Sequence, residues 1–356
     1  MTASSILSGQ FPAEGTIAGR HVTLHYGNIA AEYNALRSGA MLVDRSARGR
    51  MRVDGPRAAE LIAGLVTNDV QALGVGQGCY AGALTPKGKL VADLRIFARA
   101  DHLLIDVPPR AAAGWQSMLK KYVNPRVAPT QDLTGTVRCV GVFGATARRV
   151  IAVAVGLEPE ELGAMATYAT LGAEFAGAKV LVARTPELEL EGYEVFFPAE
   201  SFNDLWQRLR ALGATPAGLH AWEIARIEAG RPEWGVDMSD DTIPQEANFD
   251  TLRAISYTKG CYVGQEVVAR VHFRGHVNKH LRGLMAGKSE PAPEGAAVLI
   301  ATGEQVGEVR SSALSPRLGA VAMGMVRREV ELGTDVTLQW EGGKVSAKVS
   351  ALPMPL

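Results

Sequence analysis

Polar and apolar residues alternate through RGRMRVDG, residues 48–55, which predicts a strand carrying Met51 and Val53 on one face. Behind Pro56 the apolar spacing lengthens to three and four at Ala58, Leu61, Ile62 and Leu65, the signature of a helix. Alternation returns in KLVADLRIFARADHLLIDVP, broken at ARAD, as in the two arms of a hairpin. AAGWQSMLKKYV reads as helical. So does SFNDLWQRLRALG, with Ser201 as N-cap, Phe202, Leu205, Trp206 and Leu209 on one face and Gly213 as the stop. Strands and helices follow one another without a strict βα alternation, so an α+β fold is expected rather than a doubly wound sheet. After Gly275 the texture changes to short strand-like runs separated by Gly and Pro, the pattern of a small antiparallel barrel. The expected division is an α+β region at 1–275, made of two interleaved subdomains, and a barrel at 276–356.

The chain of 356 residues is 47% hydrophobic, enough for a sizeable core, and its 37 basic residues equal its 37 acidic ones. A stable duplex-DNA binder normally shows a basic excess, so DNA binding is not expected. Three widely spaced cysteines without a CxxC pair argue against a disulfide framework or a cysteine-built metal cluster. The N-terminal MTASSILSGQFPAEG has neither a basic start nor an apolar stretch of signal-peptide length, and no run approaches a spanning helix. A cytoplasmic protein outside the membrane, with reduced thiols, is expected.

Familiar motifs are missing. LGVGQG lacks dinucleotide-binding spacing because Cys79 stands at the place of the third glycine, and no phosphate-binding loop, HExxH or GxSxG occurs. His272, His276 and His280 fall four apart and would share a helical face, but Gly275 and strand-like neighbours interrupt it. With no cysteine or acid nearby, no metal site is assigned. Arg270, Arg274, Lys279 and Arg282 make the segment basic and solvated, able to receive the anionic tail of a ligand.

Several phrases stand in a fixed order: VDRS at 43–46, LVTNDV at 65–70, GQGCYAGALTPKGKLVADLRIF at 76–97, RIEAGRPEWGVDM at 226–238, IPQEANFDTLRAISYTKGCYVGQEVVAR at 243–270 and GEVRSSALSP at 307–316. The sequence resembles the folate-binding YgfZ family, a branch of the superfamily that includes the glycine-cleavage T-protein (aminomethyltransferase). PQEAN followed by KGCYVGQE is the specific part. The resemblance implies a cloverleaf of interleaved, ferredoxin-like α+β units around a central folate channel, closed by a C-terminal antiparallel β-barrel. It implies tetrahydrofolate or a one-carbon derivative as ligand. The function it implies is an accessory role in assembling or maintaining iron–sulfur enzymes, tRNA-modifying ones included, with iron–sulfur client or assembly proteins as partners. The alternative is an aminomethyltransferase-like enzyme passing a one-carbon unit to tetrahydrofolate.

The residues can be set against what a folate needs: carboxylates for the pterin edge, an apolar or aromatic slot for the p-aminobenzoyl ring and cations for the glutamyl tail. Asp93 matches the second acid of the T-protein's paired aspartates, the first being replaced by Ala92, and Tyr80 matches an aromatic beside the channel. The resemblance extends the folate-contacting set to Asn68, Trp222, Arg226, Glu228, Asp237, Gln265, Glu266 and Arg270. Taken singly, each acid could equally cap a helix or pair on the surface. Two departures alter the expected grip. Leu190 stands where the T-protein has a pterin-contacting glutamate, and Trp222 where it has an arginine.

Cys261 sits two residues after Lys259, before a helix expected to open near Gly264. A neighbouring cation and a helix N-terminus both favour thiolate over the ordinary thiol, whose pKa is about 8.5. Cys261, Lys259 and Asp93 are therefore the expected catalytic groups, with the thiol at the channel rim. A buried, inert cysteine is the competing reading. Gly260 and Gly264 are expected where the backbone adopts conformations that side chains forbid.

Overall fold

The computed structural model describes residues 12–355, so most of the N-terminal stretch examined for a targeting signal lies outside the described residues. A hairpin of β1 (Ala13–Ile17) and β2 (Arg20–His25) precedes α1 (Ile29–Ser38) and β3 (Ala40–Asp44). Next come β4 (Gly49–Asp54), α2 (Ala58–Ala63), β5 (Gly78–Leu84), β6 (Leu90–Ala98), β7 (His102–Val107), α3 (Ala112–Tyr122) and β8 (Thr130–Asp132). The second half of the α+β region runs through β9 (Val137–Phe143), α4 (Ala147–Val155), α5 (Pro159–Ala164), β10 (Thr170–Phe175), β11 (Ala178–Arg184) and β12 (Gly192–Pro198). It ends with α6 (Phe202–Ala211), β13 (Ala214–Pro216), α7 (Leu219–Glu228) and α8 (Gln265–Arg274). A closed barrel follows, built from β14 (Lys279–Gly287), β15 (Ala297–Leu299), β16 (Gln305–Ser315), β17 (Gly319–Arg327), β18 (Asp335–Trp340) and β19 (Gly343–Ser350). The fold is mixed α+β with a C-terminal six-stranded antiparallel barrel.

Two sheets carry the first region: β5-β6-β7-β4-β8, and β10-β11-β12-β9-β3-β13 with β13 parallel to β3. The period-two pattern read from the sequence sorts their faces. Along β6, Ala92, Leu94, Ile96 and Ala98 enter the core shared with α2 and α3, where Met51 and Val53 of β4 also lie. Asp93, Arg95 and Phe97 point the other way, toward the six-stranded sheet. Phe97 meets Phe196 of β12 edge-on at 5.7 Å, and Arg95 pairs with Glu194 of β12 at 2.7 Å.

The layer between the sheets is thus partly a buried lattice of charge. Arg95 also pairs with Asp106 at 2.6 Å, Arg48 pairs with Asp106, and Arg45 pairs with Glu194 at 3.2 Å. Arg50, fully enclosed, donates to the carbonyls of Arg45 and Ser46. Buried ions are tolerable only when compensated in this way, and removing one partner of such a set typically costs about 3–5 kcal/mol. The lattice therefore fixes how one sheet sits on the other more than it adds net stability.

Two local expectations change, at Ser201 and Gly260. The Ser201 hydroxyl makes no capping bond, because a 3-10 turn at Ala199–Ser201 runs straight into α6, while Gly213 at φ +94° does stop it. Gly264 has φ +82°, and a Cβ there would lie 2.6 Å from the Thr85 carbonyl, so only glycine opens α8. Gly260 has no left-handed φ and open space around it, so it needs no glycine. The three histidines do not share a helical face either: His272 lies in α8 stacked on Tyr257 at 3.6 Å, Gly275 ends that helix, and His280 belongs to β14.

The barrel is held to the first region by two buried acids. Glu228, at the end of α7, accepts from Tyr33 at 2.7 Å, from Arg317 at 2.9 Å and from Ser315. Asp237 accepts from Arg226 at 2.6 Å, from the Glu233 backbone at 2.9 Å and from Ser311. Among the described residues no helix is long and apolar enough to cross a membrane.

Candidate functional site

A cavity of about 550 Å³ opens where the two sheets, the segment after α7 and the chain beyond β19 meet. Its walls include Asn68, Cys79, Tyr80, Tyr168, Arg231, Asn248, Arg253, Leu352 and Pro353. That size falls within the range of small-molecule sites. Tyr80, on β5, faces it because β5 alternates like its neighbour, sending Cys79 and Ala81 into the opposite core. The Tyr80 and Tyr168 rings lie nearly parallel with centroids 6.3 Å apart, a flat aromatic wall. Asn68 donates to the carbonyls of Tyr80 and Arg253, both at 2.9 Å, and so ties that wall to the opposite rim.

Behind Tyr80 lies a smaller polar chamber of about 20 Å³, walled by Arg45, Arg48, Asp93, Glu187, Trp222 and Arg226 among others. Tyr80 and Arg231 belong to both spaces, and the Arg231 guanidinium lies 4.9 Å over the Tyr80 ring. They form the partition. Asp93 is the notable group of the chamber. Its Oδ2 accepts from the Tyr80 hydroxyl at 3.1 Å, while its Oδ1 is buried with no partner. Burial pushes its carboxyl up to about 6, against the pull of Arg48. The Trp222 Nε1 is likewise buried and unpartnered, and its ring lies 3.9 Å beneath the Arg45 guanidinium. Where the sequence lacks a cation at 222, the structure thus supplies one stacked upon it.

Of the residues singled out from the sequence, Asn68, Tyr80, Asp93, Trp222 and Arg226 converge on the cavity and chamber. Glu228 and Asp237 do not; both are taken up in anchoring the barrel. Gln265, Glu266 and Arg270 lie on α8, half-buried or exposed, away from both walls. Cys261 is exposed in the loop before α8 and lines neither space. Lys259 sends its ammonium to the carbonyls of Ala63 and Val66, the latter at 2.7 Å, at the end of α2. Burial lowers its pKa to about 8, and the thiol that senses its charge is Cys79, itself pushed up to about 12 by burial. The expected Lys259–Cys261 activation is therefore corrected: the cation serves a helix C-terminus.

Sequence reasoning missed Tyr168, Glu187 and Arg231. Arg231 lies within RIEAGRPEWGVDM, already singled out, and Glu187 three residues before Leu190, but nothing in their spacing tells a chamber wall from a surface charge.

The sheets, the cavity at their junction and the closing barrel define a protein of the glycine-cleavage T-protein class. The chain belongs to that family: the GCVT N-terminal domain matches residues 10–257 and the glycine cleavage T-protein C-terminal barrel domain matches 279–354. It is similar to the aminomethyltransferase of Saccharopolyspora erythraea, at 31% identity over 94% of this chain and 92% of that one. Similarity to the Bordetella petrii aminomethyltransferase is also 31%, over 94% and 90%. The glycine cleavage system aminomethyltransferase T from Bartonella henselae shares the fold, with a TM-score of 0.84 at 24% identity over 97% and 94% of the chains. The family uses tetrahydrofolate as the one-carbon acceptor.

These relatives overturn the accessory role in iron–sulfur proteins expected from the YgfZ resemblance. Proteins matching this chain along almost its whole length are named aminomethyltransferases.

Proposed function

We propose that this protein is a tetrahydrofolate-dependent aminomethyltransferase, taking a one-carbon unit from an aminomethyl donor. The observation that carries the reading is Asp93: a buried carboxyl with one free oxygen, held near 6, in a small chamber that Tyr80 and Arg231 separate from a cavity of ligand size. The residues present fit a folate. The free Asp93 oxygen accepts from a pterin N–H, the Tyr80–Tyr168 wall takes a flat ring, and Arg253 at the exposed rim meets an anionic tail. Tetrahydrofolate supplies the amine nitrogens that receive the one-carbon unit.

The chain's own part is proton handling and exclusion of water. A carboxyl near 6 is mostly ionised at neutral pH yet takes up a proton readily, the range suited to general acid–base work. Tyr80 holds one oxygen of Asp93, leaving the other for the ligand. Arg231 over Tyr80 keeps bulk water from the chamber. The KGCY phrase supports a place beside the YgfZ branch within the family, and the three unpaired thiols fit a cytoplasmic setting.

The test is a coupled assay of the purified chain with tetrahydrofolate and an aminomethyl donor, for wild type and Asp93→Asn. Folate product from wild type, reduced about 10²–10⁴-fold by the substitution, is expected. Absence of product from wild type would overturn the reading.

A further inference from the structure

Asp93 is walled off from the cavity side. Arg231, which lies over Tyr80, is held there by the Tyr168 hydroxyl at 3.0 Å and by Glu187 at 3.5 Å. A ligand in the cavity closes that side further. A carboxyl that takes up and releases a proton in each turnover still has to exchange it with solvent, and the structure holds space for this on the other side.

The chamber of about 20 Å³ around Asp93 is large enough for an ordered water, which needs roughly 10–15 Å³ and two to four polar partners. Its walls carry two complementary buried groups without partners, the Trp222 Nε1 donor and the Asp93 Oδ1 acceptor. Trp222 and Arg45 also wall a second space of about 40 Å³, on the side of the N-terminal hairpin. Its other walls include Thr23 of β2, Tyr26, Asp44 and Ala47. Asp44 is exposed and Thr23 half-buried, so this outer space borders solvent. The Thr23 and Tyr26 hydroxyls and the Asp44 carboxylate offer water the polar partners that an apolar crevice lacks. The stacked Arg45–Trp222 pair, 3.9 Å apart, is the partition between the two spaces.

We infer that waters in these two spaces form a rear route between Asp93 and solvent, passing the Arg45–Trp222 pair beneath the β1–β2 hairpin. Trp222 Nε1 donates to the inner water, which donates to Asp93 Oδ1. A carboxylate oxygen has two lone pairs, so Oδ1 takes this water from the rear and a ligand N–H from the front. The Arg45 charge favours hydroxide moving inward over hydronium moving outward. Hydroxide takes the Asp93 proton, leaving a carboxylate and one water. The use of the route rests on the acid–base role proposed for Asp93; the route itself does not.

The experiment follows deuterium exchange of the indole N–H groups in the isotope-labelled full chain by NMR. Trp115 supplies the reference, because its Nε1 is equally buried and unpartnered but lies in the apolar core with α3. Trp222 is expected to exchange about 100-fold faster than Trp115 or more. Ala47→Leu, which fills the outer space, should slow Trp222 about tenfold or more and leave Trp115 unchanged. Thr23→Leu fills the same space from the hairpin and serves where Ala47→Leu fails to fold. Saturating tetrahydrofolate, its binding checked by calorimetry, should leave the Trp222 rate within about threefold. Trp222 exchange as slow as that of Trp115 overturns the inference. So does exchange that the ligand stops and the filled variants do not, because water then enters from the cavity. Failure of tetrahydrofolate to bind removes the folate reading alone, since the filled variants still decide the route.

Discussion

Tyr80 donates its hydroxyl to one oxygen of Asp93 at 3.1 Å and leaves the other buried and unpaired. A half-satisfied carboxyl is a standing cost to the fold, and its pH dependence follows from the raised pKa. Below about pH 4 the group is protonated in folded and unfolded chains alike and contributes nothing. From there to about 6 the unfolded chain ionises first, so stability falls; above 6 the penalty levels off at about 3 kcal/mol at most. Asp93→Asn should therefore raise Tm near pH 7.5 and leave it unchanged near pH 4, while cutting turnover about 10²–10⁴-fold. Calorimetry at the two pH values checks this, and an equal shift at both would show that the carboxyl is not held up by burial.

Removing the donor alone acts in a different way. The Tyr80 hydrogen bond favours the charged carboxylate, so Tyr80→Phe should push Asp93 further up. The acid limb of the pH–rate profile is expected to move to higher pH. A limb that stays put would mean that another group titrates there.

Glu228 gathers Tyr33, Ser315 and Arg317 across the junction with the barrel. Glu228→Ala leaves a cation and two hydroxyls without their acceptor, with an expected loss of about 3–5 kcal/mol. Denaturant unfolding should show the loss and, with the barrel uncoupled, a second transition. A change below about 1 kcal/mol would mean that the apolar contacts alone seat the barrel.

The thiols should separate cleanly by accessibility. Cys261 is expected to alkylate in the native protein at the rate of an ordinary exposed thiol, and Lys259→Ala to change that rate less than about twofold. Cys79 and Cys139, both buried with raised pKa, should react only on unfolding. Mass spectrometry after timed iodoacetamide exposure reads all three.

The two glycines of the KGCYVG phrase make a controlled pair. Gly264→Ala forces a side chain into a left-handed φ and onto the Thr85 carbonyl, and should cost about 1–3 kcal/mol. Gly260→Ala should change stability by less than about 0.5 kcal/mol. Similar losses at the two positions would contradict the backbone assignment.

Much of the scaffold was readable because strand alternation is a local signal. It put Met51 and Val53 on one face and marked the two arms of the hairpin that carry β6 and β7. The charge lattice was not readable. Arg45 finds Glu194 across 149 positions, and charged residues taken singly belong at the surface. Lys259 misled for the opposite reason: Cys261 is near in sequence, but the carbonyls at the end of α2 lie closer in space. Glu187 gave no signal of its own, and only the fold brings Arg95 and Arg231 beside it.

Past β19 the chain supplies Leu352 and Pro353 to the cavity wall, and the Met354 N–H then bonds to the Glu228 carbonyl at 2.8 Å. A molecule in the cavity therefore presses on the same few residues that fasten the barrel. By reciprocity, whatever free energy the ligand gives to barrel docking, docking returns to ligand affinity. Loosening the fastening far from the pteridine should raise Kd with no contact to the ligand changed.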